Sequence, residues 1–540
     1  MIDQPKAQQT LGALLVDAAS RYGERPFILY GDERVSYAEL LRRAERLAAG
    51  LQARGVGHGA RVAFMLPNGL EIIELWFALA LLGAIGVPVN TAFRGYQLTY
   101  LLNDADAPLF VVGAQYLDRL AAVQADVGPV ERLIVADAGA PDGVADVAAV
   151  SLPALRWPSE PLADVPTAPR ASLPAVDYRD PVATLHTSGT TGPSKGVIVC
   201  HRHEYILGRN MAVEMGLRGD DTYWCGFPFF HNTALALITL PVLLVGGAVA
   251  VVERFSASRF WDEVVRYGCT AFYYLGALLT ILLKAPPSAR DRQHTLRVGW
   301  GLAASGETMQ AFEARFGVPV LSGYGSTEAN VVCYEPLGAR RPGSAGKPHP
   351  EFDVRVVDDH DEPVPPGAVG EIVTRPREPY VMFLGYYQKP EATVAAWRNL
   401  WFHTGDAGRF DADGYLYFVD RLKDVIRRRG ENISSYDVEY VASQHPAVLE
   451  CAAVAVPAEL GEDEVKLVVV PRPGQSLDPR DLIAFCAERL AYFAVPRYVQ
   501  LSQALPKTPT DKVEKHRLRA EGVTAATWDR ERAGVQLHRA

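Results

Sequence analysis

The sequence predicts an α/β fold: a large N-terminal domain of stacked αβ layers with a β-rich subdomain, then a small, mobile α+β C-terminal domain. Strand and helix patterns alternate through most of the first four hundred residues. Short β-rich segments with Asp, Gly and Pro turns follow after about residue 340, and a separate α+β pattern begins after Asp420. A chain of 540 residues has room for two or three domains of ordinary size.

The N-terminal part begins with a repeated strand–helix–strand pattern. Ser36 and Glu39 form a capping-box pattern that opens an amphipathic helix. Arg61–Leu66 is strand-like, Leu70–Leu82 is an apolar helix, and Val87–Val89 is a short strand. This order predicts a mostly parallel sheet with helices on both of its faces.

The remaining elements continue these patterns up to and beyond the domain boundary. Residues 138–180 are rich in Ala, Pro and Asp, and we expect them to form a surface connection. The boundary is placed at 420–423, which gives an N-terminal domain of residues 1–420 and a C-terminal domain of residues 421–540. Further predicted strands are Leu109–Val112, Ala248–Val252, Ala271–Leu275, Val354–Val357, Glu371–Val373, Tyr415–Val419, Ala452–Val456 and Lys466–Val470; predicted helices are Ser435–Gln444 and Asp478–Leu490.

Composition and charge exclude several classes of function. The net charge of −9 gives no general attraction for nucleic acid or for an anionic membrane. The six cysteines contain no CxxC pair, which argues against a disulfide framework and a zinc site. Thr233–Val252 is uncharged and 20 residues long, but Pro241 and Gly246 divide it into a helix and a strand that we expect to be buried core. With no secretory signal visible, we expect a cytoplasmic protein without a transmembrane segment.

The segment TSGTTGPSKG, residues 187–196, predicts a phosphate-binding loop. Its glycines let backbone N–H groups approach an anion, while hydroxyl side chains and a lysine add donors and positive charge. It is not a Walker loop, because Ser194 stands where that pattern requires glycine. A flexible Gly/Ser turn is the structural alternative. The candidate phosphate-binding residues are Thr187, Ser188, Gly189, Thr190, Thr191, Gly192 and Lys195.

This loop resembles the phosphate-loop signature of the adenylate-forming superfamily, which includes acyl-CoA synthetases, adenylation domains and firefly-type luciferases. Six further segments resemble that superfamily's motifs in the same order along the chain. They are PFFH (228–231), ASGE (304–307), GYGSTE (323–328), WFHTGD (401–406), DRLKD with GENI (420–433), and LPKTPTDK (505–512). The sequence of residues 420–439 most resembles that of the crotonobetaine/carnitine–CoA ligase type and of general bacterial acyl-CoA synthetases.

The resemblance implies two half-reactions with ATP, a small-molecule carboxylic acid and coenzyme A. The carboxylate first attacks the α-phosphorus of ATP to give an acyl adenylate and pyrophosphate. The thiol of coenzyme A then displaces AMP. Bringing one anion onto another requires positive charge and a metal ion, here Mg²⁺. Glu328 is the expected magnesium ligand, with Thr190 assisting, because hard cations take oxygen ligands.

The other site roles also follow from the resemblance. Tyr324 is expected to stack on adenine, and Asp406 and Arg421 to bind the ribose, with a salt bridge between the latter two as the structural alternative. His231 is expected to gate the carboxylate pocket or to orient the thiol, although a core histidine is the alternative. The remaining expected nucleotide-site residues are Ser305, Gly306, Glu307, Gly325, Ser326 and Thr327.

The C-terminal residues are expected to act in turn. Lys512 is the expected catalytic lysine of adenylation, although its motif reads Thr-Asp-Lys where many relatives have Thr-Gly-Lys. Lys423 is the expected hinge about which the C-terminal domain rotates between the half-reactions. Arg427, Arg429 and Gly430 are expected to bind coenzyme A, with a solvated surface as the alternative.

The sequence leaves the acid and the acceptor open. The acyl pocket is expected to be lined by residues after His231 and by 274–277, 300–304 and 330–332, with bulky Trp300 opposing very long chains. A small or medium acid, aliphatic or aryl, is therefore expected. An amine or a carrier-protein thiol is the main alternative acceptor, a luciferase-type oxidation and a non-catalytic scaffold are further alternatives, and a homodimer is an open possibility.

Overall fold

The structure is a computed structural model of the chain. It describes residues 2–137, 154–167, 173–187, 194–421, 425–428, 431–458, 462–507 and 513–537. A large mixed α/β N-terminal domain precedes a smaller C-terminal domain, as the sequence predicts. The position of the boundary stays a prediction, and residues 422–424 lie outside the described ranges.

The strands of the N-terminal domain form two large sheets and a smaller one. In chain order they are β1 (Pro26–Tyr30), β2 (Glu33–Ser36), β3 (Arg61–Met65), β4 (Ile85–Pro88), β5 (Leu109–Gly113), β6 (Arg132–Ala136), β7 (Ser159–Pro161), β8 (Pro181–Thr187), β9 (Lys195–Cys200), β10 (Thr222–Cys225), β11 (Ala248–Val251), β12 (Ala271–Leu275), β13 (Val298–Leu302), β14 (Val320–Ser326), β15 (Asn330–Tyr334), β16 (Lys347–Pro348), β17 (Phe352–Val357), β18 (Gly370–Pro376), β19 (Gly385–Tyr386), β20 (Trp397–Arg398), β21 (Trp401–Phe410) and β22 (Leu416–Arg421).

The helices of this domain pack around and between the two large sheets. They are α1 (Leu11–Tyr22), α2 (Tyr37–Ala53), α3 (Leu70–Leu82), α4 (Gly95–Ala105), α5 (Leu117–Val123), α6 (His201–Glu214), α7 (Leu240–Val245), α8 (Phe260–Tyr267), α9 (Gly276–Lys284), α10 (Gly306–Phe316) and α11 (Pro390–Ala396). Ser36 caps α2 by accepting a hydrogen bond from the Glu39 N–H, as its capping pattern predicts. One hydrophobic core joins α1–α3, α6 and α7 to both large sheets.

The two large sheets are mainly parallel, as the βαβ pattern predicts. One sheet has the strand order β19-β9-β8-β4-β3-β5-β6-β7, and the other β16-β15-β14-β13-β12-β10-β11-β1-β2. In the second sheet β10, β12, β13 and β14 are neighbouring parallel strands. Their carboxyl ends therefore meet at one edge, where ligands bind in open α/β sheets. The β-rich subdomain is an antiparallel sheet of β17, β18, β20, β21 and β22.

The C-terminal domain is a compact α+β unit with its own core. A hairpin of β23 and β24 precedes a sheet in the order β25-β26-β27-β28. Its elements are β23 (Val425–Arg428), β24 (Glu431–Ser434), α12 (Ser435–Ser443), β25 (Val448–Pro457), β26 (Asp463–Pro471), α13 (Pro479–Ala487), β27 (Tyr498–Leu501), α14 (Lys515–Glu521) and β28 (Thr527–Asp529).

Two expectations about local structure need correction. Within the segment expected to be a surface connection, β7 adds a strand to the edge of a large sheet by pairing with β6. Pro241 does not divide the apolar run, because a π-helical segment, Thr233–Thr239, passes directly into α7. The predicted helix and strand are both present, since α7 ends just before Gly246 and β11 follows. The run is buried core, as expected. In the described part of the chain, no helix is long and apolar enough to cross a membrane.

Candidate active site

Four of the sequence motifs lie at the shared edge of one sheet. The segment ending at His231 follows β10, Ser305 follows β13, and Glu328 follows β14. Asp406 reaches the same place from β21 of the adjoining subdomain, where its carboxylate meets a β14 side chain. The parallel strand order thus explains why the three motifs between residues 228 and 328 converge, as the edge rule predicts, whereas Asp406 is brought there by the packing of the subdomain.

The phosphate loop begins and ends in a strand pair. Thr187 ends β8 and lies opposite Lys195, the first residue of β9. The Ser194 hydroxyl donates to the Thr187 carbonyl at 2.6 Å, which ties the two ends together. The predicted ligands Ser188, Gly189, Thr190, Thr191 and Gly192 lie outside the described residues.

Glu328 lies close to the end of this loop. The Tyr386 hydroxyl donates to the Glu328 carboxylate at 3.0 Å, and the Lys195 ammonium lies 4.8 Å from the centroid of the same tyrosine ring. Burial and the nearby carboxylate raise the pKa of Tyr386, so it stays a neutral donor. Tyr386 therefore links the candidate magnesium ligand to the candidate phosphate lysine, a link that the sequence does not reveal.

The residues around Glu328 fit a magnesium ion held jointly with a substrate. In proteins Mg²⁺ usually binds one or two carboxylates and completes its shell with water and phosphate oxygens. Glu328 supplies a carboxylate of this kind. Among the described residues, no group of three or more His, Cys, Asp or Glu side chains forms a closed metal site.

The candidate adenine loop makes a close backbone contact at Gly306. A Cβ at this position would lie 2.7 Å from the Pro342 carbonyl oxygen, which is too close without a backbone shift. Ser305 caps α10 by accepting from the Thr308 N–H at 3.1 Å, and Glu307 is exposed in the first turn. The loop is therefore fixed at the helix N-terminus and leaves its outer face open.

The candidate ribose site joins β14 to β21. The Tyr324 hydroxyl donates to the Asp406 carboxylate at 2.8 Å. The Tyr324 ring also stacks on Phe418, with ring centroids 6.4 Å apart. Asp406 lies opposite Arg421 in the β21–β22 backbone register. Phe418 is about half exposed, and the sequence analysis missed it because an aromatic residue in a short strand usually indicates core.

Backbone packing also constrains the end of β14. A Cβ at Gly325 would lie 2.3 Å from the Asn330 carbonyl oxygen, so only glycine fits. The Ser326 hydroxyl accepts from the Ala329 N–H at 3.1 Å. Thr327 completes the turn that carries Glu328. These contacts hold the turn in one shape.

Two of the segments expected to line the acyl pocket include residues of β12 and β13. Tyr273 and Trp300 are buried with their rings 5.7 Å apart. Tyr274, which the sequence analysis expected in this pocket, points to the opposite face and donates to the Leu321 carbonyl at 2.8 Å. Alternate residues of a strand face opposite ways, so Tyr274 does not share the face that carries Tyr273 and the expected residue Trp300.

A buried glutamate borders the same region. Burial raises the pKa of Glu204, on α6, to about 8. Its carboxyl group accepts from the Asn232 side-chain N–H at 3.1 Å. Asn232 follows His231 directly, so Glu204 restrains the segment beside the candidate acyl pocket. The sequence gives no signal for this contact.

The C-terminal hairpin reaches this site through Glu431. The Nε2 atom of His231 lies 3.1 Å from both oxygens of the Glu431 carboxylate. Desolvation lowers the pKa of His231, but the Glu431 carboxylate outweighs it and the pKa is raised above its ordinary value. The Asn90 side-chain N–H also donates to Glu431, at 3.4 Å. Glu431 is thus a site residue to which the sequence analysis gave no role.

Two of the three consecutive arginines, Arg427 and Arg428, lie in the described strand β23 and have different environments. Arg428 is buried: it donates to the Phe493 and Val495 carbonyls and pairs with Glu464. The Arg427 backbone N–H donates to the Asp463 carboxylate at 3.1 Å, and its side chain is partly buried. Arg429 and Gly430 lie outside the described residues, as do Lys423 and Lys512.

A second contact between the domains is centred on α4. The rings of Tyr96 and Tyr440 have centroids 4.4 Å apart, and Gln97 accepts from the Ala491 N–H at 2.8 Å. Beside this contact lies a cleft of about 390 Å³. The cleft is lined by charged side chains of both signs from both domains, namely Arg94, Asp118, Arg119, Glu488 and Arg489. Arg489 pairs with Glu488 at 2.9 Å, so the cleft is not uniformly cationic.

Comparison with known proteins agrees with this geometry. The family described as "AMP-binding enzyme" matches residues 15–387, and "AMP-binding enzyme C-terminal domain" matches residues 437–512. A crotonobetaine/carnitine–CoA ligase from Salmonella choleraesuis (strain SC-B67) is 32% identical over 523 residues, covering 95% of this chain and 99% of that protein.

Solved structures show the same fold. Amide bond synthetase McbA from Marinactinospora thermotolerans is 26% identical, with a TM-score of 0.81, over 95% of this chain and 99% of that one. ATP-bound MatB from Rhodopseudomonas palustris is 28% identical, with a TM-score of 0.68, over 95% of this chain and 99% of that one. The chain belongs to the AMP-binding enzyme family, within the adenylate-forming superfamily.

Proposed function

We propose that this protein is an AMP-forming carboxylate–CoA ligase acting on a small or medium carboxylic acid, aliphatic or aryl. The observation that carries the proposal is the His231–Glu431 contact. It brings a hairpin of the C-terminal domain against the acyl side of a nucleotide site that the N-terminal domain builds. A site that a second, separate domain completes suits a reaction in two steps, in which the carboxylate first receives AMP and the acyl group then passes to a thiol.

In the first half-reaction, a carboxylate oxygen forms a bond to the α-phosphorus of ATP and pyrophosphate leaves. Lys195 and the donors of the phosphate loop bind the departing phosphates, and Asp406 holds the ribose with Arg421. A magnesium ion on Glu328, with Thr190, would supply positive charge where phosphate charge develops. Lys512 would neutralise the attacking carboxylate.

In the second half-reaction, the coenzyme A thiol attacks the acyl carbon and AMP leaves. His231, held by Glu431, would orient the thiol beside the acyl carbon. Arg427, Arg429 and Gly430 would contact the phosphates and the pantetheine arm of coenzyme A. Rotation of the C-terminal domain about Lys423 would move Lys512 out of the site and bring the β23–β24 hairpin into it.

The bulky, buried rings of Tyr273 and Trp300 favour a short or medium acyl group, because such side chains leave little room for a very long chain. The relative named for crotonobetaine and carnitine is consistent with an acid of this size. We propose a cytoplasmic location, because ATP and coenzyme A are cytoplasmic metabolites. The homodimer stays a prediction.

A second candidate is transfer of the acyl group to an amine. The observation that favours it is the likeness to amide bond synthetase McbA over nearly the whole chain. This enzyme would share the first half-reaction and differ only in the acceptor. A carrier-protein thiol would differ in the same way.

A pyrophosphate-release screen tests the proposal. Small, medium, long and aryl acids are each supplied with ATP and Mg²⁺, alone, with coenzyme A, or with an amine, and the products are identified by mass spectrometry. We expect turnover that requires coenzyme A, with AMP and a thioester as products. Turnover that an amine accelerates and coenzyme A does not would favour the second candidate, and no pyrophosphate release with any acid would contradict both.

A further inference from the structure

A buried carboxylate on α4 lies beside the start of the phosphate loop. The Asp104 carboxylate lies 3.0 Å from Nε2 of His186, the residue before Thr187. The same carboxylate pairs with the Lys389 ammonium, three residues after Tyr386. The side chains of Asp104 and His186 are only 13% and 3% exposed. The Lys389 side chain is 26% exposed, so the ion pair is partly buried, and breaking it would leave a poorly compensated charge.

A second residue of α4 reaches the other end of the loop. The Tyr100 hydroxyl, one helical turn before Asp104, donates to the Ser194 carbonyl at 2.7 Å. It also lies 3.4 Å from the Asp104 carboxylate. The residues on the two sides of the loop, His186 and Ser194, are thus both attached to the same helix face.

The charges in this cluster are assigned by their surroundings. Desolvation lowers the pKa of His186 in spite of the Asp104 carboxylate, so the imidazole is neutral at pH 7 and donates through its Nε2–H. Desolvation opposes ionisation of Asp104, but hydrogen bonds from His186 and Lys389 hold its pKa below the ordinary value. Asp104 therefore fixes the tautomer of His186, and the Lys389 ammonium balances the negative charge of the Asp104 carboxylate.

We propose that Asp104 is a positioning residue for the phosphate loop in the adenylation half-reaction. It acts through His186, Lys389 and Tyr100 and touches no substrate. The inference rests on the proposed function for its kinetic part, but its prediction for ATP binding stands independently. Groups that place a ligand-binding loop typically change affinity or rate by 10–100-fold when altered.

The test compares Asp104→Asn with Asp106→Asn, a matched control on the same helix end. Asp106 accepts from the Tyr387 hydroxyl at 2.9 Å and, among the described hydrogen bonds and ion pairs, has none to His186, Ser194 or Lys389, and asparagine also suits its positive φ of 49°. ATP affinity is measured by calorimetry, KM and kcat by acid-dependent pyrophosphate exchange, and thioester formation from supplied acyl adenylate. We expect Asp104→Asn to weaken ATP binding on the order of tenfold and to slow exchange, with thioester formation unchanged.

Tyr100→Phe provides a second variant that removes one hydroxyl and no charge. We expect it to weaken ATP binding in the same direction by a few-fold, with its Tm close to that of the unaltered protein. Equal ATP affinity for Asp104→Asn and Asp106→Asn would overturn the proposal, as would equal loss of both half-reactions in a folded Asp104→Asn variant. If none of the tested acids supports pyrophosphate exchange by the unaltered protein, the proposed function fails. The calorimetric ATP affinities would still decide the role of Asp104.

Discussion

The nucleotide half and the hairpin half of the candidate site are built in different ways. On the nucleotide side, Tyr324, Asp406 and Glu328 all belong to the N-terminal domain and are fixed by hydrogen bonds within it. On the hairpin side, Glu431 comes from the C-terminal domain and meets a His231 side chain that is 40% exposed. The first half is thus a preformed scaffold, whereas the second depends on how the C-terminal domain docks.

This difference suits a two-step reaction. A preorganised nucleotide site requires little rearrangement when charge develops during adenylation. A docking contact between partly exposed charged groups has a small free energy, so the two domains can separate and reassociate between steps. We therefore expect substitutions in the two halves to damage different half-reactions.

The largest expected effect is on the nucleotide side at Glu328. Glu328→Gln removes the carboxylate charge but keeps the side-chain size, so we expect adenylation to fall on the order of 100-fold or more. Pyrophosphate exchange at several Mg²⁺ concentrations measures this loss. Exposed Glu131→Gln, outside the candidate site, is the control, and an equal loss in both variants would show that Glu328 has no special role.

A steric change in the same half should have the next largest effect. Gly306→Ala forces a shift against the Pro342 carbonyl, with a cost of about 1–3 kcal/mol in stability and weaker ATP binding. Gly338→Ala is the control, because a Cβ there meets nothing within 4 Å. Calorimetric ATP affinities and thermal melts would detect the difference. Equal ATP affinities and equal Tm values for the two variants would show that the backbone at Gly306 can shift without cost.

The smallest expected effect is on the pH dependence of docking. The Glu431 carboxylate raises the pKa of His231, so the protonated imidazole strengthens the contact between the domains. This extra docking free energy is fully present below about pH 6.5 and is lost as the pH rises through the raised pKa. Energy transfer between dyes on the two domains should report a few-fold weaker docking at pH 9 than at pH 6. His231→Gln should remove this dependence, and a dependence that survives the substitution would assign it to another group.

The sequence predicts much of the scaffold because its signals are local. Leu70–Leu82 and Ala271–Leu275 occur as predicted, since continuous apolar runs with turn residues at both ends define them. Motif residues such as Asp406 could be located because glycine-rich turns surround them. Whether they have the expected roles stays a prediction.

The remaining features depend on contacts between distant segments. Tyr386 and Phe418 support the site through aromatic rings that look like core residues in the sequence. The sequence predicts that Tyr274 lines the acyl pocket together with Trp300, but its side chain lies on the opposite face of β12. The sequence of a strand that is buried on both faces does not show which residues point to which side. Asp104 and His186 are 82 residues apart, and only the fold brings them together.

The most direct test of the two-part site is Glu431→Gln, measured in each half-reaction separately. Glu531→Gln, which alters a carboxylate paired with Arg497 within the C-terminal domain, is the control. We expect pyrophosphate exchange to stay within about twofold of the unaltered protein, while thioester formation from supplied acyl adenylate falls on the order of tenfold or more. Equal losses in both half-reactions, or unchanged thioester formation, would contradict the account.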